Sequence, residues 1–322
     1  MRKWFKAILI TVLLAGGVIV CVIRWQAWFG MPEEPKWTGD SLSYQFPTFA
    51  ADSVPGFIYT ERGWQDIVKP SSLEMLVLGD IHNKLLSADY NSLAARVPDA
   101  EVVVQVGDWL HRGQEYYHQL LMREWTNSAL CGLPIIACPG NHEYSKGIHK
   151  ALSPVWLSAF PQPDNGPAGV PGKHYYIDFP KLRLISIDTN PLTRIQYLTR
   201  TLTWLRTVMN GANGRYIVVI MHHPVYSAAK GRFNSLIYAT FRRPLGEADL
   251  VLAGHDHSYM RKTPFVVLNT AGHGKPQRFH YTPDVTDSVP TYSVISVNDS
   301  LCFKAYRMSD GVAIDSIYVK HN

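Results

Sequence analysis

Cysteine is scarce in this chain: there are four in 322 residues, and only Cys131, Cys138 and Cys302 lie outside an N-terminal apolar stretch. An odd number excludes a full disulfide framework. Cys131 and Cys138 sit at opposite ends of one expected strand, and six or seven extended residues cover roughly 20 Å or more, against the roughly 7 Å a disulfide tolerates. Buried free thiols are expected. Internal repeats and low-complexity tracts are also missing, and no basic face interleaved with aromatics is present, which argues against a nucleic-acid partner. The charge excess is small: the net charge is +5, and Arg2, Lys3 and Lys6 at the extreme N-terminus supply much of it. So mild a bias suits an anionic substrate. The apolar and charged fractions are ordinary, so the chain can bury the core of one large domain or two modest ones.

One long hydrophobic run is present. Residues 7–23, AILITVLLAGGVIVCVI, are closed by Arg24 and flanked by Trp4, Phe5, Trp25, Trp28 and Phe29. As a helix the run covers roughly 26 Å, near the hydrocarbon thickness of a bilayer, with aromatic residues at both interfaces. Three basic residues before it against one after it place the N-terminus in the cytoplasm and the rest of the chain outside. A cleaved signal peptide shares the charged start, but the run is long for its apolar region and no good Ala-x-Ala site follows. Residues 1–29 therefore read as a basic stub and an uncleaved transmembrane helix. Secretion or periplasmic release after cleavage is the alternative. Val18-Ile-Val-Cys21 is a poor lipidation box, because the residue before the cysteine is not small. Residues 30–70, with Pro32-Glu-Glu-Pro35 and Val54-Pro-Gly56, read as a stalk and lead-in strands, and residues 71–322 as the main domain.

Within that domain strands and helices alternate. Strands are expected at Leu73 to Leu78, Glu101 to Val106, Pro134 to Cys138, Leu182 to Ile187, Tyr216 to Met221 and Asp249 to Ala253. Helices are expected at Ala88 to Val97, Gln114 to Ala129, Tyr197 to Asn210 and Asn234 to Arg243. Such alternation implies parallel or mixed sheets with crossover helices. The tail, Thr291 to Val297, Leu301 to Arg307 and Ala313 to Val319, reads as an antiparallel meander with turns at Asn298-Asp299 and Asp310-Gly311. Asn298-Asp-Ser300 is formally a glycosylation sequon and also an ordinary hairpin turn.

Five strand ends share a chemistry. Leu78 leads into Gly79-Asp80-Ile81-His82, Val106 into Gly107-Asp108-Trp109, and Cys138 into Pro139-Gly140-Asn141-His142-Glu143. Met221 leads into His222-His223-Pro224, and Ala253 into Gly254-His255-Asp256-His257. In open α/β sheets ligands bind beyond the carboxyl ends of the strands, where loops converge. Asp80, His82, Asp108, Asn141, His222, His255 and His257 offer carboxylate, amide and imidazole donors. They are too many for one tetrahedral zinc and suit two cations that share a carboxylate. A glycine before each block lets the backbone turn tightly. The two-residue spacings, Asp80 with His82 and His255 with His257, put both partners on one side if the backbone stays extended.

The ordered blocks GDIH, GDW, GNHE, MHHP and GHDH, from about Leu73 to the C-terminus, resemble the calcineurin-like metallophosphoesterase superfamily. The resemblance implies a four-layer αββα sandwich of two mixed sheets flanked by helices. It also implies two divalent or trivalent metal ions: Asp80, His82 and His257 hold one, Asn141, His222 and His255 the other, and Asp108 bridges. The family places the ligand directly after the strand methionine, which selects His222 over His223. His142 would approach the bound phosphate as the catalytic residue, with His111, Arg112, His223 and His273 as further substrate contacts. Two such cations yield a bridging hydroxide at neutral pH and clamp an in-line displacement at phosphorus. The overall layout looks like the purple-acid-phosphatase-like branch, but that branch carries a tyrosine, an iron ligand, three residues after the bridging aspartate, where this chain has His111. This argues against a tyrosinate-coloured centre and leaves Mn, Fe or Zn. Glu143 and Asp188 are expected to hold turns, and His118, His149, His174, His280 and His321 carry no assigned role. The expected activity is phosphomonoester hydrolysis on a small-molecule or lipid substrate. A phosphodiesterase or a nucleotide or lipid pyrophosphatase is the alternative, and a non-catalytic metal-binding scaffold is the rival of another class.

Overall fold

The computed structural model describes residues 57–60, 63–66, 72–145, 151–192, 194–271 and 275–321. The expected membrane helix, most of the stalk, His149 and His273 lie outside them. Among the described residues no helix is long and apolar enough to cross a membrane.

In chain order, β1 (Phe57–Thr60) and β2 (Gly63–Asp66) form an antiparallel ribbon. The domain then runs β3 (Leu73–Leu78), α1 (Ser87–Arg96), β4 (Val102–Gln105), α2 (Glu115–Thr126), β5 (Ile135–Ala137) and α3 (Pro154–Ala159). It continues through β6 (Tyr175–Asp178), β7 (Leu182–Ile187), α4 (Ile195–Asn210), β8 (Tyr216–Met221), α5 (Ser235–Phe241) and β9 (Leu250–Ala253). The remaining strands are β10 (Tyr259–Lys262), β11 (Phe265–Val267), β12 (Val285–Asp287), β13 (Thr291–Val297), β14 (Leu301–Arg307) and β15 (Ala313–Val319).

Two mixed sheets result, with strand orders β15-β14-β13-β3-β4-β5 and β12-β10-β11-β9-β8-β7-β6. The strands that precede the donor blocks, β3, β4 and β5 in one sheet and β8 and β9 in the other, pair in parallel. The central strands of each sheet are buried on both faces and are nearly continuous β-branched and aliphatic runs, VVVQ in β4 and YIVVIM in β8, whereas β14 and β15 leave one face partly open. Alternate residues divide between cores as the period of two requires. Met75, Val77 and Val104 meet Leu184, Val218 and Leu252 between the sheets. Leu76, Leu78 and Val103 face outward onto Leu93, Leu121 and Trp156 of α1, α2 and α3. Ile185, Ile187 and Val219 face outward onto Leu198, Leu205 and Phe241 of α4 and α5. Each such aliphatic side chain removed from water contributes about 1.5–3 kcal/mol.

The C-terminal meander is present and continues the first sheet, because β13 pairs antiparallel with β3. Helix α3, strand β6 and strands β10 to β12 are additions to the expected list. Two of them begin where a local device permits. Ser153 accepts the Trp156 N–H at the start of α3, with Pro154 in its first turn. Strand β11 follows Pro264 and joins the second sheet in parallel with β9. The cysteines need one correction. All three are free but only Cys138 is buried: Cys302 is half-buried, and Cys131 is exposed in the turn after α2, outside the strand expected to begin beside it.

Candidate metal centre

All seven expected donors come together at the carboxyl ends of these strands. Asp80 and His82 leave β3, Asp108 leaves β4, Asn141 leaves β5, His222 leaves β8, and His255 and His257 leave β9. The backbone does this differently from the expected extended pairs. Asp80, His82, Asp108, His255 and His257 have φ of 54°, 52°, 55°, 73° and 55°. These are left-handed conformations, each costing an ordinary residue about 1 kcal/mol or more. The ligand residues themselves make the turns. Glycine is needed beside them for close approach, a Cβ on Gly140 standing 2.2 Å from Asp108 Oδ1 and one on Gly107 2.3 Å from His222 Nδ1, and at Gly107 also for its own φ of 97°.

Asp108 lies between two groups of donors. On one side, Asp80 Oδ1 is 3.4 Å from His257 Nε2 and 3.9 Å from His82 Nε2, and His82 and His257 approach to 3.2 Å through their Nε2 atoms. On the other, His222 Nε2 lies 3.2 Å from both Asp108 Oδ2 and Asn141 Oδ1. One donor atom from each of Asp80, His82, Asp108 and His257 can be chosen so that all lie within 4.8 Å, and likewise for Asp108, His222 and His255. Asp80 Oδ1 is buried and lacks a hydrogen-bond partner, which is costly unless a cation meets it. The donors fit two cations of intermediate hardness sharing Asp108.

The electrostatics agree. Burial, then the Asp108 charge, raises the Asp80 carboxyl well above the usual range, against the pull of His222. Burial also acts to raise Asp108, but His222, His142 and His82 outweigh it and hold this carboxyl far below the usual range. His222, which burial would lower, is lifted to about 9 by Asp108. Burial lowers His82 to about 4 and His257 to about 3, and with His223, His222 and Arg232 it depresses His255 as well. Three imidazoles are thus neutral at neutral pH, as ligation requires. The carboxylates meanwhile draw positive charge to the fourth.

A supporting layer fixes these side chains. His222 Nδ1 donates to the Val106 carbonyl at 3.0 Å, which aims Nε2 at the centre. Glu143 holds two loops together, accepting the Asp108 and Gly140 N–H groups on Oε2 at 3.0 and 2.6 Å and the Leu110 N–H on Oε1 at 3.0 Å. Burial and the Asp108 charge push its carboxyl up to about 7. Asp188 is likewise a turn holder, accepting Tyr144 Oη–H and the Lys173 and Asn190 N–H groups. Trp109 pins the loop of Asp108 by packing on Phe160 and Trp125 and donating to Tyr90 Oη at 2.9 Å. Asp256 does the same for the loop after β8, accepting Ser227 Oγ–H at 2.8 Å and the Ala228 and Ala229 N–H groups. Sequence reasoning misses Asp256, because between two histidines it looks like a spacer. It misses Asn83 too, whose Oδ1 accepts the His111 N–H at 2.7 Å and sets the course of that loop.

His142 is half-exposed at the mouth. Its Nδ1 donates to the His111 carbonyl at 2.6 Å, its backbone N–H to Asp108 Oδ1 at 2.9 Å, and its ring stands 4.5 Å from that of His82. His111 and Arg112 are exposed on the same loop, with the His111 ring 6.5 Å from His82 and 5.9 Å from His142. His223 is tied to Thr189 Oγ1 through Nδ1 at 2.8 Å, and its ring lies 4.5 Å from His255. His118 and His174 are buried away from the centre, where burial lowers them to about 3 and about 4.

A family model described as calcineurin-like phosphoesterase matches residues 73–259, a span containing every donor. No curated protein matches the sequence. Among solved structures, purple acid phosphatase PPD1 from yellow lupin seeds is similar with a TM-score of 0.59 and 13% identity, over 90% of this chain and 68% of that one. GAP50, described as the anchor in the inner membrane complex of Plasmodium, gives 0.57 and 15% over 78% and 90%. A dimetal phosphatase from Danio rerio gives 0.52 and 14% over 78% and 99%. At these identities the likeness is one of fold.

Proposed function

From the premise that the chain belongs to the calcineurin-like phosphoesterase family and is a metallophosphoesterase using two metal ions, we propose that it is a phosphomonoesterase. In this reading Asp80, His82 and His257 hold one ion, Asn141, His222 and His255 the other, and Asp108 is common to both. The observation that carries it is the buried, unpartnered Asp80 Oδ1 beside two donor groups that share Asp108. Two cations held there would supply a water of lowered pKa at neutral pH and positive charge for the phosphoryl oxygens.

The chain's own residues do the rest. With Nδ1–H held by the His111 carbonyl, His142 turns Nε2 toward the centre, 3.9 Å from Asp108 Oδ2. From there it delivers a proton to the departing alkoxide. His111 and Arg112 add positive charge toward the phosphate from the exposed loop, and His223 lines the rim beside His255. With His111 in place of the tyrosine, the centre lacks a tyrosinate absorption and takes Mn, Fe or Zn. Residues 7–23 anchor the protein so that this domain faces outward, where small phosphorylated molecules or lipid headgroups reach it.

GAP50 shows that this fold is found in a protein described as an anchor. A complete donor set with His142 in place favours catalysis here. Elemental analysis of purified protein, followed by a panel of phosphate esters assayed with the metal found, tests the reading. Turnover of monoesters is expected; activity on diesters alone would exchange the subclass, and no turnover of any ester with metal bound would refute hydrolysis.

A further inference from the structure

We propose that a basic and aromatic flank beside the metal centre docks on an anionic lipid surface. The inference rests on the reading of residues 7–23 as a membrane anchor and is independent of the phosphoesterase chemistry.

Two stretches build the flank: residues 222–246 after β8, and residues 257–283, which run through β10 and β11 toward β12. Together they carry eight Lys and Arg and not one Asp or Glu. The chain keeps them apart, so no basic face interleaved with aromatics is legible along it; the fold joins them. Ala229 and Gln277 form an isolated antiparallel bridge, the Lys230 N–H donates to the Pro276 carbonyl at 2.8 Å, and Tyr281 Oη–H donates to the Ser227 carbonyl at 2.5 Å. Buried Asp256, between His255 and His257, accepts from Ser227, Ala228 and Ala229 and so fixes the flank beside the centre.

Four of the eight cations are engaged within the fold. Arg261 pairs with Asp315 and Asp284, and Lys262 with Asp284. Arg232 turns inward against the His255 ring. Lys275 is half-buried, lowered by burial and then by the Arg232 charge, with Asp80, Asp256 and Asp108 drawing it back. The other four, Lys230, Arg242, Arg243 and Arg278, are exposed, and among the described residues none has a carboxylate within ion-pair distance. Arg243 shares a small cavity with Glu247, but Arg206 lines it too.

Rings connect these cations. His280 lies 4.7 Å from Phe233, Phe233 lies 5.3 Å from Tyr238, and the Arg242 guanidinium sits 4.9 Å over Tyr238. Phe233 and Tyr238 are half-exposed and His280 is exposed. Aromatic rings with one wet side, set among Lys and Arg, suit a membrane interface, where the rings sit at headgroup level and the cations meet anionic lipid.

The chain itself favours lipid over another polyanion. Its apolar run is long enough for a bilayer, and residues 25–72, which join that run to β3, reach at most roughly 160 Å, several times the width of such a domain. The flank can therefore meet the leaflet from which the chain emerges. Tethered in this way, it has an effective concentration on the order of millimolar at the surface, so a weak affinity suffices.

The experiment places the full chain in vesicles of phosphatidylcholine, alone or mixed with phosphatidylglycerol, and follows backbone hydrogen exchange in residues 226–243 and 276–281. Slower exchange is expected only where phosphatidylglycerol is present, fading as salt rises. Lys230→Gln, Arg242→Gln and Arg278→Gln should each lower the docked-to-free ratio about fivefold, the worth of one cation near an anionic leaflet. An unchanged urea midpoint shows that each variant is folded. Equal exchange in the two kinds of vesicle, or a ratio unaltered in all three variants, overturns the proposal. Slowing produced by a single-stranded oligonucleotide and not by phosphatidylglycerol would assign the flank to nucleic acid instead. A chain that fails to float with phosphatidylcholine vesicles refutes the anchor, and its exchange with phosphatidylglycerol vesicles added from outside still decides the flank.

Discussion

Glu143 joins the two loops that carry Asp108 and Asn141, so replacing it tests whether the centre is held by its scaffold or by its ligands alone. The carboxylate is 1% exposed and accepts three backbone N–H groups, from Asp108, Leu110 and Gly140. Alanine leaves three buried donors unpaired, at about 1–3 kcal/mol each. Water entering the vacated space satisfies part of them, so the expected loss is about 4 kcal/mol. Glutamine keeps one oxygen for Asp108 and Gly140 but turns its amide toward the Leu110 N–H, a loss of about 2 kcal/mol. Urea denaturation of chelator-treated protein measures both, at about pH 8 so that the carboxyl, pushed up to about 7, is ionised. Metal affinity should drop in the same order, about tenfold to a hundredfold, as for other residues that orient ligands. An alanine variant within about 0.5 kcal/mol of the parent protein, with unchanged metal affinity, would refute the reasoning.

His142→Ala should lower kcat about a hundredfold to ten-thousandfold with metal content intact. The loss should be greater for alkyl than for nitrophenyl esters, because only the poorer leaving group needs the proton; equal losses would remove His142 from that role. Asp108→Asn takes away the shared carboxylate, and elemental analysis should then find about one ion or fewer per chain; two retained ions would contradict the shared-ligand assignment. Asp188, pushed up to about 6 by burial, favours its protonated form in the fold. Its contribution is therefore complete below about pH 4 and fades as pH rises through about 6, so the stability of the parent protein relative to Asp188→Asn should decline by roughly 3 kcal/mol across that window. A pH-independent difference between the two, in denaturation of chelator-treated protein, counts against this.

The donors are legible in the sequence because they stand at strand ends, and strands buried on both faces announce themselves as apolar runs. Leu182–Ile187, Tyr216–Met221 and the three C-terminal strands fall where the pattern puts them. Short elements such as α3, β10 and β11 escape, since three to six residues carry too few turns or alternations to rise above a loop. The left-handed backbone at Asp80 and His255 is invisible for another reason. Nothing in the spacing of two says whether the chain is extended or coiled, and tertiary contacts decide it. Asp256 is likewise silent, because the loop it fastens, Ser227 to Ala229, is remote in sequence and only the fold brings the two together.

Strand β3, which delivers Asp80 and His82, borders β13, and Ser296 on that strand bonds to Glu74 across a separation of 222 residues. Non-local pairing of this kind is slow to form, because a long loop must close before the contact rewards it. The earliest coordinating groups along the polypeptide must therefore wait for some of its last-made segments before their supporting sheet is whole. Metal loading, on this account, belongs to the end of maturation, and a shortened chain without residues 291–297 should bind its ions poorly even though every coordinating side chain is still present.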